Sequence, residues 1–328
     1  MKKIVILHTD VPPDAGRDEY DTLQQADTIA HAITDLGHQP VLLPFTLDLN
    51  VLMETLRRLR PDVVFNLVET VAGRGSMLHF APCLLDFLRI PYTGSRTEAL
   101  FLTSDKPLAK RMLVAGGIAT PPWLMLDGIE TGEVYTGSYL MKPSWEDASV
   151  GLDDSAIWQS SCAETLSDAL RRREQDLDRE CFAELYIDGR EFNIALLSTC
   201  RGLCVLPPAE ILFQDYPPEK PKWLNYRSKW EEDSFEYQHT PRTFDIPRQD
   251  DRLIRQLVDI ARNCWNLFAL HGYARVDFRV DEQGNPFVLE INANPCLSPD
   301  AGFAAALEKA EIAYSEAIEE ILQAAIRR

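Results

Sequence analysis

Hydrophobic and polar positions follow two rhythms along the first 95 residues. Short apolar runs at 3–7, 40–45 and 63–68 have the length of buried strands. Between and after them, residues 20–36, 51–59 and 77–88 repeat apolar side chains at helical spacing. In the first helix Leu23, Ala26, Ile29, Ala30 and Ile33 share a face, and Gly37 stops it. Strands alternating with helices predict a parallel sheet with right-handed crossovers. Pro91-Tyr92-Thr93-Gly94 then begins a link.

Further on the rhythm changes. The spacing predicts a helix over 104–116, ended by Gly116-Gly117 and the Pro121-Pro122 pair. From about residue 120 strands dominate, at 139–141, 181–187 and 191–198, with a helix over 162–173. Asp188-Gly189, between two β runs, reads as a hairpin turn. Residues 214–246 are polar, aromatic and proline-dotted without a period, as in a functional flap or a disordered excursion. A helix over 253–270, strands over 274–280 and 287–292, and a last helix near 308–326 follow.

Composition narrows the partners. The chain has 328 residues, enough for two or three domains. Its 51 acidic residues against 33 basic ones give a charge of −18, which disfavours nucleic acid and anionic membranes as partners. The first apolar run is too short for a signal-peptide core and no run reaches the ~18 residues of a membrane span, so a cytoplasmic location is expected. Seven cysteines without a Cys-x-x-Cys pair predict reduced thiols, read as small buried hydrophobes. Gly-x-x-x-x-Gly-Lys-[Ser/Thr], Gly-x-Gly-x-x-Gly, His-x-x-x-His and Gly-x-Ser-x-Gly are all absent. That argues against P-loop and dinucleotide folds, zinc proteases and serine hydrolases.

The candidate chemistry concentrates in the strands at 274–280 and 287–292. Side chains alternate along a strand, so Arg275, Asp277 and Arg279 share one face and Ala274, Val276, Phe278 and Val280 the other. In the second strand Phe287, Leu289 and Ile291 share a face, opposite Val288, Glu290 and Asn292. Pairing Val280 with Phe287 across the turn sets Asp277 opposite Glu290 and Arg275 opposite Asn292. Like charges directly opposed are destabilising. Two carboxylates and an amide oxygen suit a hard cation such as Mg²⁺ together with phosphates, and Arg275 suits a phosphoryl or tetrahedral oxyanion. A solvated polar face explains a lone Asp–Glu pair as well; the combined Arg-x-Asp and Glu-x-Asn pattern is more specific.

Three lysines fit a phosphate site. Lys106 sits at the start of a helix, where a cation is disfavoured, with Lys110 four residues on. An anionic ligand would relieve both, although an exposed lysine is the simpler explanation. Lys142 ends an apolar strand ahead of a small-residue loop through Ser149-Val150-Gly151. Lys229 lies in the aperiodic stretch. Residues Glu184 to Ile187, with Glu191 nearby, could border a nucleotide base and its sugar, though a plain hairpin explains them too.

In this order these segments resemble the ATP-grasp superfamily, and within it the D-alanine–D-alanine ligase group. The segments are Pro91 to Ser95, Asp105-Lys106, Lys142-Pro143-Ser144, Ser149-Val150-Gly151, Gly189-Arg190-Glu191-Phe192, Lys229, Arg275-Val276-Asp277 and Glu290-Ile291-Asn292. The resemblance implies an α/β protein, α+β in its ATP-binding part, of three domains: a parallel-sheet domain at 1–102, a central one at 103–187 and a last one at 188–328. It implies ATP, with two Mg²⁺ or substituting Mn²⁺, between the second and third. Lys106, Lys142 and Lys229 would meet nucleotide or phosphates, Glu184, Leu185, Tyr186 and Ile187 the adenine, and Glu191 the ribose. Asp277, Glu290 and Asn292 would hold metal, with Arg275, Ser149 and Lys229 as catalytic positions. Asp18 or Glu19, Glu69, Asn294 and Ser298 would face the small amino-acid or peptide-like substrates. The implied reaction is amide formation through an acyl phosphate, and dimers are common in the group.

The departures concern substrate. Where the ligases place His-Gly and then Gly-Glu-Asp-Gly, Asn66 to Ser76 contains no histidine. The first of their two loop serines is Ala148 here, and their last substrate loop has a serine where Pro299 to Phe303 stands. D-Alanine is therefore not the expected substrate. A non-catalytic nucleotide-binding protein and a small-molecule kinase are the competing readings.

Overall fold

Ile4, Val5, Ile6 and Leu7 are all fully buried, which requires a strand covered on both faces. In the computed structural model, which describes residues 1–13, 15–131 and 134–327, with the backbone alone for Asp18, Glu130 and Thr131, they form the centre of Lys3–Thr9 (β1). Next come Arg17–Asp35 (α1), Gln39–Phe45 (β2), Leu49–Leu59 (α2), Val63–Leu67 (β3) and Phe80–Leu88 (α3). The sheet is parallel, in the order β2-β1-β3, and Val64 also bridges Tyr92 in parallel. Leu52 and Leu56 of α2 and Ala81 and Leu85 of α3 cover one face. Ile29 and Ile33 of α1 cover the other.

The predicted helix over 104–116 is Lys106–Ala115 (α5), and a helix the sequence pattern does not announce, Thr97–Ser104 (α4), runs directly into it. Asp105 breaks them apart: its extended backbone ends α4, and its carboxylate accepts from Leu108 N at 3.0 Å, capping α5. Pro107 sits in the first turn, where no donor is lost.

A second sheet follows. Trp123–Leu124 (β4), Leu126–Thr131 (α6), Gly137–Pro143 (β5), Ile157–Ser160 (β6), Ala163–Leu177 (α7) and Cys181–Leu185 (β7) form an antiparallel sheet in the order β4-β7-β5-β6, with α7 on its back. The third sheet is built from Arg190–Thr199 (β8), Gly202–Val205 (β9), Ala209–Ile211 (β10), Arg242–Thr243 (β11), Tyr273–Val280 (β12) and Pro286–Asn292 (β13). Its order is β11-β10-β8-β12-β13, with β9 on β8. Tyr226–Trp230 (α8), Phe235–Gln238 (α9), Asp251–Leu267 (α10), Gly302–Lys309 (α11) and Tyr314–Ile326 (α12) complete the chain. α10 fills the back of β12 through Leu257, Ala261 and Cys264. Ile318, Ile321 and Leu322 of α12 enter the same core as Ile4, Ile33 and Phe65 of the first sheet.

Four expectations fail for physical reasons. Asp188-Gly189 is no hairpin turn, because β7 and β8 belong to different sheets. Gly189 has φ +141°, and a Cβ there would lie 2.0 Å from Val280 O, so it is a tight crossing between sheets. Residues 214–246 are not structureless: they carry α8, α9 and β11, and Asn225 and Ser234 cap the two helices through side-chain oxygens. The last predicted helix divides into α11 and α12, with Glu311 in the left-handed region between them. Cys83, Cys162 and Cys200 are exposed rather than buried; all seven cysteines are unpaired thiols.

Candidate active site

The site face of β12 meets that of β13 through an irregular ladder. Arg275 pairs with Asn292 and Asp277 with Glu290. Nearer the turn, however, Val280 opposes Pro286 rather than Phe287, and the register shifts between Asp277 and Phe278. Leu289 is the additional residue, a β-bulge that re-aims the strand. Val288 and Ile291 therefore both face the core, while Leu289, Glu290 and Asn292 line a cleft of about 510 Å³. Strict alternation would have put Val288 on the site side; the bulge is where alternation fails.

Arg275 grips Asp277 with two parallel bonds of 2.8 Å, and Asn193 of β8 donates to the same carboxylate at 2.8 Å. Glu290 has no close ion pair among the described residues. Burial would push its carboxyl up, but Lys106, Lys229, Arg275 and Lys142 outweigh burial and hold it down at about 2. Asp277, Glu290 and Asn292 thus offer anionic and amide oxygens to the cleft. Among the described residues no group of three His, Cys, Asp or Glu collects; two carboxylates and an amide oxygen are the donors here, a set that suits a hard, oxygen-bound cation such as Mg²⁺.

The lysines converge from other elements. Lys106, which the sequence alone leaves as readily exposed, is 8% accessible. Its ammonium bonds Glu146 O at 2.6 Å and Asp147 at 2.8 Å. Burial would lower its pKa, and Asp147 and Glu290 more than reverse that. Lys142 contacts Glu184 at 2.5 Å. Lys110 turns inward to the other oxygen of Glu184, also at 2.5 Å, so it does not crowd Lys106 in solvent. Lys229, on α8, lines the cleft.

Glu184, Leu185, Tyr186 and Ile187 all border the cleft, as does Glu191. Glu191 pairs with Arg279 at 2.9 Å; burial raises its pKa, partly opposed by Arg279. The loop carrying Ala148, Ser149 and Gly151 takes positive φ at all three. It is tied to the 224–230 stretch by Ser149 Oγ donating to Leu224 O at 3.2 Å and Trp230 Nε1 donating to Ala148 O at 2.9 Å. Gly75 packs so closely under the loop that a Cβ would meet Trp145 O at 2.3 Å.

At the cleft's other end the expectations divide. Glu69 and Asn294 line it. Asn294 accepts from the Tyr273 hydroxyl at 2.7 Å. Glu19 does not line it: its carboxylate accepts from Gly16 N at 3.3 Å and caps α1. The side chain of Asp18 lies outside the described residues. Ser298 is buried behind the wall, donating to Asp21 at 2.9 Å. Among the described residues Asp21 is the acid of α1 that reaches the cleft, with Cys296 Sγ 3.0 Å from its carboxylate. Asp21 follows Glu19 by two residues, and helical phase on α1 was the signal that separates them.

Two antiparallel-rich sheets facing each other across a cleft of lysines and carboxylates, behind a parallel-sheet unit, define the ATP-grasp class. The family described as "D-ala D-ala ligase C-terminus" matches residues 131–323. A D-alanine–D-alanine ligase of Moorella thermoacetica is 31% identical over 308 residues, covering 88% of this chain and 90% of that protein. An uncharacterized protein, y4sG, of Sinorhizobium fredii is 31% identical over 312 residues, covering 92% and 88%. In fold, the chain resembles the D-alanine–D-alanine ligase of Bacillus anthracis solved with ATP, at TM-score 0.73, 19% identity and 100% and 98% coverage. The D-alanyl-alanine synthetase A of Vibrio cholerae matches at TM-score 0.76 and 14% identity, over 100% and 99%. The chain belongs to the D-alanine–D-alanine ligase family and is an ATP-binding ligase that forms C–N bonds. Among the described residues no helix is long and apolar enough to cross a membrane.

Proposed function

We propose that the chain joins a carboxylate to an amine at the expense of ATP, through an acyl phosphate, on amino-acid or peptide-like substrates other than a D-alanine pair. The observation that carries this is the single cleft shared by Arg275, Asp277, Glu290, Asn292, Lys106, Lys142 and Lys229. Lys106, Lys142 and Lys229 hold the phosphates, residues Glu184 to Ile187 the adenine and Glu191 the ribose. Mg²⁺, on Asp277, Glu290 and Asn292, would neutralise phosphate charge. Arg275 steadies the transferred phosphoryl group, and Ser149 belongs to the loop that closes over it.

A substrate carboxylate oxygen attacks the γ-phosphorus and ADP leaves. The amine nitrogen then attacks the acyl carbon, the C–O bond to phosphate breaks, and the nitrogen loses a proton. Positioning and charge neutralisation do the work, without a covalent enzyme nucleophile. Glu69, Asp21 and Asn294 are the substrate-facing groups of this reading. The missing histidine and the altered loop at 299–303 support a changed amino-acid pocket. The division into 1–102, 103–187 and 188–328 that accompanies the reading is supported by the three separate sheets.

The test is mass spectrometry of products from a pool of amino acids and dipeptides with ATP and Mg²⁺. The expected result is a new amide with equal ADP and phosphate. A stable phosphoester would make the protein a kinase. Nucleotide binding without turnover across the pool would make it a non-catalytic binder.

A further inference from the structure

Lys110 is a buried charge that the proposed chemistry leaves unused. It is 1% exposed and does not border the cleft. Its ammonium nonetheless lies 2.5 Å from Glu184 Oε2 and donates to Thr120 Oγ1 at 2.6 Å and Pro121 O at 3.4 Å. Glu184 gives its other oxygen to Lys142. The Thr120 hydroxyl passes its own proton on to Val288 O at 2.7 Å, and Val288 N returns a bond to Ala119 O at 2.8 Å. Val288 is in β13, two residues before Glu290. A continuous polar chain therefore runs Lys142–Glu184–Lys110–Thr120–Val288, from the second sheet to the strand of Glu290 and Asn292.

Two ammonium groups on one carboxylate, with Lys110 and Glu184 buried and Lys142 partly so, leave this triad with excess positive charge. A purely structural ion pair would need one lysine, and a second is costly to desolvate. We propose that Lys110 is a positioning residue: it shares Glu184 so that Lys142 stays available to phosphate, and through Thr120 it fixes the nucleotide lysine relative to the metal-holding strand. This rests on the nucleotide reading of the cleft. Without Lys110, Glu184 has Lys142 as its sole side-chain partner among the described residues, and a one-to-one pair in a poorly solvated site draws Lys142 away from the phosphate. No carboxylate is orphaned by that loss.

The experiment is calorimetric titration of the full chain with ADP across a range of Mg²⁺ concentrations. Lys110→Met is expected to weaken ADP binding at saturating Mg²⁺ by roughly tenfold or more. Adding Glu184→Gln to Lys110→Met releases Lys142 and recovers part of that loss, which a merely structural lysine would not do. Thr120→Val keeps every charge and raises the Mg²⁺ needed for half-maximal ADP binding, with affinity at saturating Mg²⁺ within twofold of wild type. Lys110→Met binding within twofold of wild type overturns the proposal. If that variant does not fold, an unchanged Mg²⁺ dependence in Thr120→Val overturns it instead. Wild-type protein that binds no ADP at all sinks the nucleotide site and the relay together.

Discussion

Asp277 and Glu290 face each other across the β12–β13 ladder because Leu289 is bulged out between two otherwise regular stretches of pairing. The Leu289 side chain joins the cleft wall as a consequence. Leu289→Ala is expected to weaken ADP binding several-fold while costing about 1 kcal/mol of stability, since the residue is only partly buried. Calorimetry and thermal unfolding together check both halves.

Arg275 is held by two bonds to Asp277. Arg275→Met leaves that buried carboxylate with Asn193 as its remaining close donor among the described residues, and should cost about 3 kcal/mol of stability. ATP turnover should fall by at least ~10²-fold. Denaturant unfolding and ADP release measure the two effects, and a variant with full turnover would remove Arg275 from the chemistry.

Glu290 titrates well below its ordinary range in the folded protein, at about 2. A depressed folded pKa gives stability that is present above the unfolded value, about 4.3. That stability is lost as pH falls through the folded value. Glu290→Gln should therefore be less stable than wild type by roughly 2 kcal/mol near neutrality, and the difference should shrink between about pH 4 and pH 2. Melting curves of both proteins across that window decide it; a constant difference would show that charge is not the cause.

Gly189 crosses between sheets at φ +141° against Val280 O. Gly189→Ala should lose about 2 kcal/mol or more, read as a lowered melting temperature.

Trp230 pins the 144–151 loop through Ala148 O. Trp230→Phe keeps an aromatic ring but loses that bond. The expected result is a raised KM for ATP with little change in melting temperature, checked by steady-state ADP release.

Much of this was legible in the chain because local patterns agree with the fold. The parallel sheet follows from buried runs such as Ile4–Leu7, and the site strands from Arg275-x-Asp277 and Glu290-x-Asn292. What escaped depends on partners distant in sequence. The bulge at Leu289 has no turn residue to announce it, and alternation alone put Val288 on the wrong face. Asp188-Gly189 has hairpin chemistry, but β7 finds β4 and β5 while β8 finds β12. Glu19 and Asp21 differ only in helical phase. Lys110 stands out in the sequence only as a like charge four residues from Lys106; the partners that bury it, Glu184 and Thr120, come from other elements.

The placement of α12 bears on how the molecule is made. Ile318, Ile321 and Leu322 complete the apolar layer over β1 and β3, yet they are synthesised about 250 residues after β3. During translation the opening sheet emerges with part of one side bare. That side stays bare until α12 emerges, and apolar surface exposed in this way is what makes partly folded chains prone to aggregate.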